Sequence, residues 1–106
     1  MSAAIADKLD EARALIEKGW CQGGYTDNLG RFCTLGAICQ VVHGHPDADM
    51  PGTLTREFRQ LCKFILNAVG KPNARVGIWN DAHERTQAEV IEAFRKAAEL
   101  ARAEAQ

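Results

Sequence analysis

No stretch of this chain is apolar over anything near the ~18 residues that a membrane-spanning helix requires, which removes that class of protein. Neither sign of charge is in excess: 13 Lys and Arg stand against 14 Asp and Glu, for a net charge of −1. Nothing therefore pulls the whole molecule toward nucleic acid or an anionic bilayer. The opening residues, MSAAIADKLDEARALIEKG, mix charged and apolar positions and lack the basic-then-apolar order of a secretory leader. The expected location is accordingly the cytoplasm, where disulfides are rare. There is no internal repeat, low-complexity tract or linker. What remains is a 106-residue chain, 46% hydrophobic and 25% charged, with the size and composition of one soluble domain spanning residues 1–106.

Helical periodicity dominates. Ile5, Leu9, Ala12 and Ile16 recur at spacings of four, three and four, one face of a helix over residues 3–18. Gly19 then suits the left-handed position that follows a helix end. The pattern breaks over Trp20–Thr26. Asp27-Asn28-Leu29-Gly30 is turn chemistry, and Tyr25-Thr26 before it with Arg31-Phe32-Cys33 after it predict a small β-hairpin. Thr34 is placed to cap a second helix carrying Leu35, Ile38, Cys39 and Val42 and ending at Gly44. After a loop rich in breakers, Thr53 or Thr55 opens a third helix, with Leu54, Phe58, Leu61, Ile65 and Val69 as its stripe and Gly70 and Pro72 at its end. Residues 77–84 read as irregular. Thr86-Gln87-Ala88-Glu89 is a capping box, and the last helix runs from it toward Arg102 with Val90, Ile91, Phe94, Ala97, Ala98 and Ala101 inward. The predicted fold is mainly α: a single-domain bundle of three to four helices, with a short β-hairpin inserted between helices 1 and 2.

Four motifs occur in order. They are Gly19-Trp20-Cys21-Gln22-Gly23, Gly30-Arg31-Phe32-Cys33-Thr34-Leu35-Gly36-Ala37, Trp79-Asn80-Asp81, and Arg85-Thr86-Gln87-Ala88-Glu89-Val90. As a set this resembles a family of short proteins of unknown function from actinobacteria and their phages. Those proteins show Gly-Trp, a D-x-x-G turn leading to C-x-x-G-A, W-N-D, and R-T before an acidic-Val helix. The resemblance covers roughly residues 9–98 and implies a context, a phage accessory or host-modulating protein, but no activity. The loop from His43 to Gly52 and the cysteines Cys39 and Cys62 depart from the family pattern.

Unusual side chains concentrate in RVGIWNDAHERT, residues 75–86. Asp81, His83 and Glu84 could act as acid and base, with Cys33 or Cys21 as nucleophile. Cys33 stands at a helix start, where amide dipoles lower a thiol pKa. No established catalytic spacing is present, and a structural reading accounts for more of the stretch. In it Trp79 is a buried anchor, Trp20 plugs the other end of the core, Asn80 or Asp81 ends the extended segment, and Arg85 pairs with Asp81 or Glu84. Cys21, Cys33, Cys39 and Cys62 are expected as free thiols, three of them in apolar surroundings. Cys39 and His43, four apart on one helix face, with Cys21, Cys33 and His45 as further ligands, raise the option of a zinc-stabilised module, yet the chain lacks the close cysteine pair of structural zinc sites, and no metal or other cofactor is expected. Arg56, Arg59 and Lys63 form a basic stripe on the third helix, extended by Lys71 and Arg75.

The residues singled out for partner or ligand binding are thus Trp20, Cys33, Trp79, Asn80, Asp81, His83, Arg85, Arg56, Arg59 and Lys63. The favoured function is a non-enzymatic protein-interaction role, with a host protein as partner and nucleic acid disfavoured. The alternatives are a small enzyme or ligand binder with a pocket near Cys33 and the Trp79–Asp81 loop, and the zinc module. Self-association through the Ala-rich last helix near Leu100, supported by a Glu92–Lys96 pair, is also expected.

Overall fold

The computed structural model describes residues 2–105. Five helices follow one another: α1 (Ser2–Lys18), α2 (Thr34–His43), α3 (Arg56–Ala68), α4 (Val76–Asn80) and α5 (Gln87–Glu104). Helix α5 is the central element and lies between α1 and α3. It runs antiparallel to α1: Arg102 reaches Asp7 and Asp10 near the start of α1, whereas Gln87 Nε2 donates to the Ile16 carbonyl near its end, at 2.8 Å. Ile5, Leu9, Ala12 and Ile16 are all buried, as their spacing requires, against Val90, Phe94, Ala97, Ala98 and Ala101. The alanines of α5 let α1 approach closely. Ile38 of α2 and Phe58, Leu61 and Ile65 of α3 complete the core. Each fully buried Leu, Ile or Phe contributes about 1.5–3 kcal/mol by transfer from water.

The capping chemistry follows the sequence in part. Thr86 and Glu89 form the full capping box, and Thr55 caps α3 by accepting from the Phe58 amide. Gly44, in the left-handed conformation, ends α2. Three local expectations are corrected. Cys33, not Thr34, caps α2: its sulfur accepts from the Gly36 amide, and Thr34 is already inside the helix. Gly19 does not have a positive φ. It is required by proximity instead, because a Cβ there would stand 2.6 Å from Arg31 Cγ. Leu54 is not part of the α3 stripe; it precedes the cap and is 62% exposed.

The largest correction concerns the segment between α1 and α2. Among the described residues there is no strand and no β-hairpin, and the helices number five rather than three to four. The turn at Asp27–Gly30 does form, with Asp27 Oδ1 accepting from the amides of Leu29 and Arg31. Its flanks make only isolated bridges, Phe32 with Thr26 and Phe32 with Trp20. Cys21 and Tyr25 still bond the facing segment, the Cys21 amide donating to the Phe32 carbonyl and the Cys33 amide to the Tyr25 carbonyl, but residues 22 and 23 between them turn away to bond the end of α4, so no continuous ladder forms. The second miss is α4 itself, inside the stretch read as irregular. Val76, Trp79 and Asn80 are buried at i, i+3 and i+4 while Ile78 faces water, so one turn and a half of amphipathic helix was hidden by its short length and by Gly77.

Candidate functional site: the Asn80 joint and the pocket beside it

Asn80 is fully buried, and it gathers the loop after α1, the start of α2 and α4. Its Oδ1 accepts from the Trp20 indole N–H at 2.8 Å, the Thr34 backbone N–H at 2.9 Å and the Thr34 hydroxyl at 2.6 Å. Its Nδ2 donates to the Cys21 carbonyl at 3.2 Å and to Asp81 Oδ1 at 2.9 Å. An indole and a backbone amide can only donate, so the orientation of the Asn80 side chain is fixed by chemistry. Outside this centre, Gln22 Nε2 donates to the carbonyls of Asn80 and Ala82, both at 2.9 Å, and the Gly23 amide donates to Asp81 Oδ1 at 3.1 Å. The last carbonyls of a helix have no partners within it, and here the loop after α1 supplies one for Asn80.

On the other side of α4, Arg85 lies over the Trp79 ring, 4.3 Å from its centroid. Its Nε donates to the Trp79 carbonyl at 2.9 Å, and its outer nitrogen pairs with Glu89 at 3.2 Å. The expected pairing of Arg85 with Asp81 or Glu84 is therefore replaced by one with Glu89, the acidic residue of the capping box. Trp79 is buried, as an anchor must be. Trp20 is half-buried and bonds the neighbouring residue, so the two indoles converge on α4 instead of closing separate ends of the core.

Beside this joint opens a pocket of about 590 Å³, lined among others by Gly23, Tyr25, Cys33, Leu35, Arg75, Ile78 and Asp81. Tyr25 donates its hydroxyl to Asp49 at 2.7 Å across one edge, and that bond pushes the Tyr25 pKa up to about 12. Cys33 is buried, and burial outweighs the amides of Gly36 and Leu35 that favour the thiolate; its thiol is pushed up to about 11. The amide-dipole argument for an activated Cys33 is thus overturned by desolvation. Burial also raises Cys21, Cys39 and Cys62, the last to about 12, and all four cysteines are free. His83 is exposed in the turn after α4 and is not among the residues lining this pocket.

The remaining candidates lie apart. Arg56, Arg59, Lys63, Lys71 and Arg75 are exposed, and of these only Arg75 borders that pocket. Cys39 Sγ is 3.9 Å from His45 Nδ1, but His43 Nε2 is on the Thr53 carbonyl at 2.8 Å, and Cys21 and Cys33 sit by α4. Among the described residues no three His, Cys, Asp or Glu side chains converge as metal ligands. No described helix is long and apolar enough to cross a membrane. Gln22 and Thr34 were missed by the sequence reading. Nothing in their local pattern marks them, because their partners lie 46 or more residues away.

The motifs quoted from the sequence, Gly-Trp, Cys33, Trp79-Asn80-Asp81 and Arg85-Thr86, all meet in this one joint. Compared with family models, the sequence matches the one described as a family of unknown function (DUF6197), over residues 1–100. The chain belongs to that family. Neither the curated proteins nor the solved structures contain a match to it. The DUF6197 description carries no activity, so the joint has to be read from its own chemistry.

Proposed function

We propose that this protein is a small non-enzymatic interaction module that works by binding another protein, which the family resemblance drawn from its sequence makes a host protein of a phage accessory factor. One observation carries the reading: the polar groups around Asn80 are engaged by one another. Oδ1 of Asn80 has three donors, Asp81 Oδ1 holds Asn80 and Gly23, and the thiols beside it, Cys21 and Cys33, are both buried and raised, Cys33 to about 11. A catalytic constellation needs a nucleophile with a base in reach and a free place for a reacting atom. Asp81, exposed His83 and a thiol do not make one. The test is affinity isolation of the tagged protein from its native cells, with quantitative comparison against Asn80→Ala as an unfolding-prone control. A partner enriched by the intact protein and lost with the control supports the module. Recovery of the protein alone overturns it.

The pocket of about 590 Å³ favours one second reading, a binder of a small ligand held between Arg75 and Asp81, with Leu35 and Ile78 as apolar lining. A thiol-reactive probe that labels Cys33 much faster than the other cysteines would move the assignment toward an enzyme; uniformly slow labelling removes the thiol version.

A further inference from the structure

We propose, building on the interaction-module reading, that the crease between α3 and α5 receives an acidic amphipathic helix of the partner protein. Two hollows lie along this crease. One, of about 480 Å³, includes Val69, Lys71, Trp79, Ala93 and Lys96; the other, of about 120 Å³, includes Lys63, Phe64 and Glu104. They belong to one line. On α5, Glu89, Ala93, Lys96, Leu100 and Glu104 recur at spacings of four, three, four and four, and on α3, Gln60, Phe64, Asn67 and Ala68 recur at four, three and one. Residues so spaced share a helix face. Leu100, 37% exposed, therefore stands between the two hollows, with half-buried Phe64 and Val69 opposite.

The charges along the crease decide what fits it. Glu89 is held by Arg85 and Glu92 by Arg95, so both carboxylates have cations of their own. The expected Glu92–Lys96 pair does not form, since Arg95 takes Glu92. Lys63, Lys71 and Lys96 are exposed, and among the described residues none has an ion-pair partner. The smaller hollow sets Lys63 against Glu104, which among the described residues also has no ion-pair partner, so the excess of positive charge lies at the larger one, where Lys71 and Lys96 flank a floor of Val69, Trp79 and Ala93. That end of the crease complements a helix with one apolar stripe flanked by carboxylates. A second copy of this chain offers no such helix, because the apolar faces of α1, α3 and α5 are already buried in the core. A nucleic-acid backbone would use the lysines and leave Leu100, Phe64 and Val69 uncovered.

The experiment uses the full chain and two synthetic amphipathic helices with the same leucine stripe, one flanked by glutamates and one by lysines, followed by fluorescence anisotropy. The acidic peptide is expected to bind, with affinity falling as salt rises, and the basic peptide is not. The double variant Lys71→Gln/Lys96→Gln should lose about tenfold or more in affinity for the acidic peptide with little change in melting temperature, since neither side chain has an ion-pair partner to lose and no like charge is added beside Glu92 and Glu99. Equal binding of the two peptides, no binding, or an unaffected double variant overturns the proposal. So does duplex DNA bound as tightly as the acidic peptide, or a dimer in sedimentation that the double variant dissolves. The two readings separate in the isolation experiment. A partner retained by the double variant leaves the module standing and removes the crease, whereas no partner at all removes the module.

Discussion

Replacing Asn80 should cost more than any other single polar substitution in the protein. Truncation to Ala removes an oxygen that accepts from Trp20, from the Thr34 amide and from the Thr34 hydroxyl, and a nitrogen that donates to Cys21 and Asp81. The Thr34 amide is fully buried and finds no substitute acceptor, a penalty of about 1–3 kcal/mol; the lost bonds add about 0.5–1.5 kcal/mol each where water cannot compensate. Trp20 is half-buried and recovers part of its loss from solvent. The sum is about 3–5 kcal/mol, and for a domain of this size each kcal/mol moves the melting temperature by about 4 °C or more. Asn80→Asp is the sharper probe. It keeps the acceptor for all three donors but puts a second acceptor where Nδ2 stood, 2.9 Å from Asp81 Oδ1 and 3.2 Å from the Cys21 carbonyl. The three donors on Oδ1 favour the carboxylate, but burial, the Asp81 carboxylate and the Cys21 carbonyl, both of which need a proton on the new oxygen, outweigh them, so the folded pKa rises above the unfolded value of about 3.9. A raised folded pKa gives a contribution that is complete below the unfolded value and lost as pH climbs through the folded one. The penalty of Asn80→Asp relative to the parent should therefore grow as pH is raised from about 4 toward neutrality. Melting curves of parent and both variants across that range measure it. A penalty independent of pH, or an Asn80→Ala variant within about 1 kcal/mol of the parent, would show that Asn80 is not the hub described.

Other substitutions probe neighbouring parts of the joint. Trp79→Ala should destabilise by about 3–5 kcal/mol in chemical denaturation, and Arg85→Ala by about 1–2 kcal/mol through loss of ring stacking and the bond to the Trp79 carbonyl. Gly36→Ala drives a Cβ to 2.0 Å from the Tyr25 carbonyl oxygen and should cost about 2–3 kcal/mol or more, whereas Gly77→Ala meets nothing within 4 Å inside a helix and should stabilise by about 0.5–1 kcal/mol. Melting temperatures of the two glycine variants that shift in the same direction would contradict this. The buried thiols give an alkaline limit. Cys33, raised from 9.0 to about 11, stabilises the fold fully below pH 9 and loses that contribution as pH rises toward 11. Urea midpoints of the parent should fall over that interval, and Cys33→Ala should fall less steeply; parallel curves would disprove it.

The elements readable in the sequence were those whose signal is local. The α1 stripe of Ile5, Leu9, Ala12 and Ile16, the capping box of Thr86 and Glu89, and the Asp27 turn each depend on residues within a few positions of one another, and each forms. The hairpin failed for the opposite reason. Its turn was real, but Gln22 and Gly23 bond groups some 58 residues away, and that competition is invisible to any window of the sequence. The same holds for the candidate site. Trp79, Asn80, Asp81 and Arg85 were marked by their chemistry, while Thr34 and Gln22 carry no mark until their distant partners are known. Helix α4 was lost to length, since five residues give too little periodicity to separate from a loop.

Why a polar hub stands where a leucine could fill the same volume follows from what α4 must do. An apolar contact is nearly indifferent to small slides and rotations of a helix only five residues long. A carboxamide with three donors on one oxygen and two acceptors on one nitrogen is satisfied in one arrangement and penalised in the rest. Gln22 and Asp81 repeat the constraint from outside, and Arg85 clamps the same helix to the start of α5. Together they set the position of α4 against α2 and α3, and with it Ile78 at the rim of the pocket and Trp79 at the head of the α3–α5 crease. Both surfaces on which a partner or ligand could be recognised are thus held by the same side chains. A substitution at Asn80 mild enough to leave the helices folded should disturb recognition at both surfaces together, and loss at only one of them would mean that α4 is positioned by packing alone.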